Sequence, residues 1–205
     1  PNHEGEDHEA NQREVDAAVQ FAKAYSDIVK VIAVGNEAMV RWAVAYYVQP
    51  KVVLKWVQHF QALKQAGEIE SEIWVTSSDN FASWGGGEVR YQTPTLDALI
   101  LAVDFVSMHT YPFHDSFYNS QFWGVLADEE SLDQRAMTAA VMRRAIDYAK
   151  SQYHAVVNYA ATLGIDKPIH IGETGWATTD GTAYGVNGSK TADEYKQKLF
   201  HEYLR

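Results

Sequence analysis

The chain has 205 residues, 46% of them hydrophobic and 21% charged, which suits one sizeable buried core and excludes a disordered polar segment. Its formal net charge of -10 argues against a nucleic-acid partner, whose phosphates need a basic surface, and does not penalise a neutral polysaccharide. There is no cysteine, so disulfides and thiolate metal sites are excluded, and no run of eighteen apolar residues could span a membrane.

The N-terminal stretch Pro1 to Glu9 is polar and acidic, with no initiating Met and no signal-peptide pattern. From Asn11 to about Ser26, Val15, Ala18, Val19, Ala22 and Tyr25 recur at three- and four-residue spacing and predict a helix. A strand follows over Val31–Val34. Pro50 opens a second helix, with Val53, Trp56, Val57, Phe60 and Leu63 on one face and Gly67 as its stop. A strand is expected over residues 73–76, then a loop from Ser77 to Thr93 holding Trp84 and Gly85 to Gly87. Leu96 to Val103 reads as a short helix, residues 105–108 as a strand, and Phe113 to Asp128 as an aromatic-rich loop. A helical stretch in one or two pieces runs from about Leu132 to Leu163, with Gly164 as terminator. The last strand is Ile169–Ile171. A Gly/Thr-rich loop through Gly188 leads to a helix from about Ala192 to the end. Strands and helices therefore alternate, the pattern of a parallel sheet with right-handed crossovers. Four such units are half of an eight-stranded barrel.

Two of these strands end alike. Val31-Ile32-Ala33-Val34-Gly35-Asn36-Glu37 is an apolar run that stops at a glutamate, and Ile169-His170-Ile171-Gly172-Glu173-Thr174-Gly175-Trp176 is another, with an aromatic just beyond. A carboxylate at the C-terminal end of a buried parallel strand lies at the mouth of an α/β sheet or barrel. Two carboxylates converging there are what glycoside hydrolysis requires. Either glutamate alone would read as a strand-end salt bridge; the pair, with two strands between, reads as chemistry.

In Val34 to Glu37, Phe105 to Pro112 and Ile171 to Trp176 the chain resembles glycoside hydrolase family 17, the β-1,3-glucanases of laminarinase type, and its bacterial members in particular. The resemblance implies a (β/α)8 TIM barrel, of which residues 1–205 would be part of a single catalytic domain. They would cover roughly strands four to seven with their helices. It implies Glu37 on strand four as acid/base and Glu173 on strand seven as nucleophile, with no cofactor and no metal. It implies a β-glucan polysaccharide or oligosaccharide as partner and an extracellular or periplasmic setting. Ala177 stands where plant members usually carry proline, a difference expected in the shape of the loop and cleft.

Further residues are expected around the sugar. Asn36 resembles the asparagine that bonds the sugar 2-hydroxyl, and Tyr111 would orient Glu173 or touch the sugar, unless it is simply a packed tyrosine. Trp176, and more weakly Trp84, Trp123, Phe81 and Phe117, are stacking candidates against the alternative of core packing. Asp79 and Asn80 would bond sugar hydroxyls. The His3, Glu4, Glu6, Asp7, His8, Glu9 cluster lacks a helical His-x3-His spacing and reads as a solvated loop, not a metal site. Gly85-Gly86-Gly87 is not followed by a Lys-Ser/Thr pair and cradles no phosphate. The expected activity is retaining hydrolysis of a laminarin-like β-1,3-glucan. The alternatives are a transglycosylase using the same two glutamates, and an inactive fragment or glucan-binding module.

Overall fold

The computed structural model describes residues 8–118, 123–179 and 191–205. The order is α1 (His8–Ala24), β1 (Val31–Asn36), α2 (Pro50–Gln65), β2 (Trp74–Asn80), α3 (Pro94–Ala102), β3 (Val106–His109), α4 (Pro112–Tyr118), α5 (Gln134–Thr162), β4 (Ile169–Glu173) and α6 (Glu194–Leu204). The strands form one sheet in the order β1-β2-β3-β4. β1 pairs with β2 and β2 with β3 in parallel. Along β3 and β4, Val106 N bonds Pro168 O and Thr110 N bonds Glu173 O, indices that rise together as in a parallel pair. The fold is thus α/β with a parallel sheet, as the alternation of elements predicts.

The largest departures from the sequence reading lie in β2 and α4. β2 runs on to Asn80, because Ser78, Asp79 and Asn80 pair with Ser107, Met108 and His109 although they are polar. Residues 112–118 form α4 where a loop was expected; Pro112 supplies the fixed φ of a first turn. The long helix, expected in one or two pieces, is a single piece of 29 residues. Phe122, the cluster from His3 to Asp7 and the Gly/Thr-rich loop from Asp180 fall outside the described residues, as do the side chains of His8 and Phe117.

The chain forms two compact units, residues 1–109 with 153–172, and residues 110–152 with 173–205. In the first, α2 turns Val52, Val53, Trp56, Val57 and Phe60 inward, and these join Ile32, Val34 and Val75 of the sheet and Leu96, Leu99 and Ile100 of α3 in one core. Each such side chain contributes roughly 1.5–3 kcal/mol by leaving water. Thr93 caps α3 by accepting from Leu96 N. The alternate residues of the strands form a second layer. At its lower end Trp74 and Phe105 meet at 5.4 Å, and Phe105 and His170 at 5.3 Å. Higher up the aromatic ladder gives way to Ser78, Ser107 and Gly172. A Cβ on Gly172 would lie 2.3 Å from Ser107 Oγ and 3.0 Å from Ser78 Oγ, so only glycine lets these serines approach β4.

The second unit has its own core of Phe113, Trp123, Val141, Met142, Ala145, Ile146, Trp176, Leu199 and Phe200. Trp176 is edge-on to Phe113 at 5.4 Å and tilted against Phe200 at 5.8 Å. Asp193 caps α6 by accepting from Lys196 N, while its own N–H bonds Ala177 O.

Candidate active site

Glu37 is positioned by a break in the pleat. From Ala33 to Asn36, β1 advances three residues while β2 advances two, Thr76 to Ser78, so β1 carries one extra residue. Gly35 sits in this bulge at φ +87°, a conformation that side-chain-bearing residues avoid. Glu37 follows at φ +45°, left-handed for a residue with a Cβ, which costs about 1–2 kcal/mol. Such strain persists only where surroundings hold it. Here Glu37 N donates to Ser78 O at 2.8 Å, and two residues on Met39 N donates to Asp79 Oδ2 at 2.7 Å.

The Glu37 side chain is 37% exposed, and its Oε1 lies 3.1 Å from Nδ1 of His109. The His109 ring is fully buried, and its Nε2 lies 2.7 Å from Ser78 Oγ, which in turn is 2.9 Å from Ser107 Oγ. A row of polar atoms therefore runs from the serine layer to Glu37. Sequence reading missed His109; its only signal was a histidine at the very end of an otherwise buried strand.

In the second unit Glu173, the last residue of β4, accepts from the Tyr111 hydroxyl at 3.1 Å through Oε2. The Tyr111 ring stacks on His114 at 4.6 Å and 7°, which restrains the phenol. Thr110 ties the backbone through its N–H to Glu173 O, and its hydroxyl donates to Gln152 Oε1. A phenol donor stabilises an ionised carboxylate and fixes its plane.

The remaining expected residues divide by burial. Asn36 is exposed at the end of β1. Asn80 is partly exposed and its Oδ1 accepts from Ala82 N, opening the loop after β2. Asp79 is fully buried, with Oδ1 accepting from Asn80 N and Oδ2 from Met39 N. Burial pushes its carboxyl up to about 6, against the opposing hydrogen bonds from Met39 and Asn80 and the nearby His109. Asp79 thus serves the backbone around Glu37, not a sugar hydroxyl.

The three expected tryptophan platforms are core residues instead. Trp84 is 0% exposed and donates to Ser107 O, Trp176 is 3% exposed and donates to Thr191 O, and Trp123 is 6% exposed with Nε1 near Pro112 O. A ring enclosed on both faces cannot receive a pyranose. The physical reason is their indole N–H, which finds a backbone carbonyl and makes full burial affordable. Exposed aromatic surface lies elsewhere, on the loop after Glu37, where Trp42 is 61% and Tyr46 58% exposed. That loop is closed by Val48 N bonding Ala38 O.

No family model and no curated protein matches the chain. Among solved structures, the chain is similar to an endo-laminarinase from Formosa Hel1_33_131, with 55% identity and a TM-score of 0.90, over 95% of this chain and 49% of that one. It is also similar to a glycoside hydrolase family 17 β-1,3-glucanosyltransferase from Rhizomucor miehei, with a TM-score of 0.54 over 93% of this chain and 55% of that one. At 18% identity the second likeness speaks for the fold alone. The chain spans about half the length of both proteins. The likeness carried by the glutamate motifs is therefore met at 55% identity, across almost the whole of this chain, in an endo-laminarinase.

Proposed function

We propose that this chain carries the catalytic pair of a retaining β-1,3-glucanase that attacks within laminarin-like chains. The observation that carries the reading is the 55% identity to an endo-laminarinase over 95% of the chain. It gains support from the two glutamates, each at the C-terminal end of a strand of one parallel sheet and each with its own polar partner. On this reading the four strands are strands four to seven of a (β/α)8 barrel, and the residues belong to one catalytic domain.

In the first step Glu173 attacks the anomeric carbon and the glycosidic C–O bond breaks. Glu37 delivers its proton to the departing sugar oxygen. In the second step Glu37, now ionised, takes a proton from water as the water oxygen attacks the same carbon, and Glu173 leaves. Retention requires the two carboxyl groups about 5–5.5 Å apart, with an acid whose proton is held at working pH. Tyr111 orients the nucleophile, Asn36 meets the 2-hydroxyl, and the exposed rings of Trp42 and Tyr46 offer stacking surface for neighbouring glucose units. No cofactor enters this scheme.

The test is product analysis with the enzyme that contains this chain. Proton NMR during laminarin cleavage should show the β-anomer appearing first, with little release from cellulose. An α-anomer at the outset, or equal cleavage of cellulose, would overturn the reading. Products longer than a laminari-oligosaccharide substrate would assign glucanosyl transfer, in which a sugar hydroxyl replaces water in the second step. No turnover at all, with binding retained, would leave a glucan-binding module.

A further inference from the structure

An acid/base carboxyl has two oxygens, and only one can face the leaving group. Something must decide which oxygen carries the proton. We propose that His109 makes that choice: it is a positioning residue that donates from Nδ1 to Glu37 Oε1 and so assigns the catalytic proton to Oε2. This rests on Glu37 being the acid/base.

The argument starts from the hydrogen-bond inventory. An ionised carboxylate only accepts, so the 3.1 Å contact between His109 Nδ1 and Glu37 Oε1 places a hydrogen on Nδ1. In the neutral ring Nε2 is then an acceptor, and its partner at 2.7 Å is the Ser78 hydroxyl. Ser78 Oγ can accept in turn from Ser107 Oγ at 2.9 Å. Serine hydroxyls rotate, so this row meets the needs of whichever tautomer Glu37 requires, without moving a heavy atom. The ring cannot swing away, being fully buried. The serines cannot be crowded off, because Gly172 leaves the space they occupy. A histidine that merely filled a core would not need three polar partners in line, each buried or half-buried.

The same contact acts on the charge of Glu37. An N–H donor favours the ionised carboxylate, and Glu37 must lose its proton in the first step and regain one in the second. Among the described residues Asp79 on β2 lies near enough to His109 for their charges to act on each other; Glu173 joins the pair in the proposed reaction.

The experiment compares two substrates in the enzyme that contains this chain, with His109→Ala, His109→Asn and Ser78→Ala. One substrate is a laminari-oligosaccharide, whose leaving sugar needs a proton. The other is an aryl β-laminaritrioside with a 2,4-dinitrophenolate leaving group, which does not. For His109→Ala, kcat/KM on the oligosaccharide should fall about 10- to 100-fold, the worth of one charge-assisted hydrogen bond, and on the aryl substrate less than about threefold. The alkaline limb of the oligosaccharide profile should move to higher pH, because a group favouring the ionised form of Glu37 is gone. His109→Asn keeps a donor near the Nδ1 position and should recover part of the loss. Ser78→Ala leaves the ring in place and should show the same substrate split at smaller size, which keeps the test open if His109→Ala folds poorly. Equal losses on both substrates with an unmoved alkaline limb would reduce His109 to a packing residue and overturn the proposal. If Glu37→Gln itself leaves both substrates untouched, the underlying catalytic reading fails first, and the two failures are distinguishable.

Discussion

Glu37 hangs from a bulged strand at φ +45°, with a buried imidazole and two serines behind it, whereas Glu173 is the last residue of β4 and accepts from a phenol. The contrast matches the work proposed for each. An acid/base group changes protonation twice per cycle, so its partner must tolerate both states, and a ring with rotatable hydroxyls does. A nucleophile transfers no proton; it needs only a fixed plane and a donor that favours its charge. Strain is spent on the first site, where the side chain must point away from the ordinary strand direction, and not on the second.

The sharpest way to break this comparison is to remove each charge in turn. Glu173→Gln leaves nothing to attack the anomeric carbon, and turnover of both natural and activated substrates should drop on the order of 10⁴-fold or more. Glu37→Gln removes the proton donor, and kcat/KM on laminarin should fall about 10²–10⁴-fold while an activated aryl glycoside is largely spared. Identical behaviour of the two variants in both assays would erase the distinction between the sites.

Trp176→Ala tests whether the second unit is held by its aromatic core. With the ring 3% exposed and packed on Phe113 and Phe200, the substitution should cost about 3–5 kcal/mol of stability by denaturant unfolding. A variant of unchanged stability with weakened oligosaccharide binding would restore Trp176 as a sugar platform.

Tyr111→Phe deletes one hydrogen bond to a charged group and should lower kcat/KM by the equivalent of about 1.5–3 kcal/mol on both substrate types, since the nucleophile serves both. That uniform loss contrasts with the substrate-dependent loss expected for changes around Glu37. If only the natural substrate suffers, Tyr111 assists the leaving group and its assignment to Glu173 is wrong.

The smallest effect concerns Asp79. Its folded-state carboxyl titrates at about 6 against an ordinary value of 3.8, so the folded protein binds the proton more tightly than the unfolded chain. The associated stabilisation is full below about pH 4 and is lost as the pH rises through 6, at most about 3 kcal/mol across the window. Asp79→Asn cannot titrate. The stability of wild type relative to this variant should therefore decline from pH 4 to 7, as followed by thermal melts. Parallel curves would show that Asp79 does not carry the shift.

Helix and strand alternation, the sheet order and both glutamate positions were legible in the sequence, because apolar periodicity and strand-end carboxylates are local signals. The polar end of β2 was not: Ser77, Asp79 and Asn80 read as loop, yet tertiary pairing and burial hold them in the strand. The tryptophans misled for a related reason. A large ring in a glycine-rich loop reads as solvent-facing, and nothing in the sequence announces that the indole N–H of Trp84 will find Ser107 O beneath the sheet. His109 escaped notice because its partners, Glu37 and Ser78, lie 72 and 31 residues away.

The extra residue in β1 sets a parity. Along a strand, side chains face opposite ways at each step, and one inserted residue inverts the count for everything after it. The bulge at Gly35 thus sets Asn36 opposite Ser78, and the left-handed backbone at Glu37 then turns its carboxyl back to His109. The identity of this glutamate is spelled by one codon, but its direction is spelled by the bulge before it and the backbone turn at it.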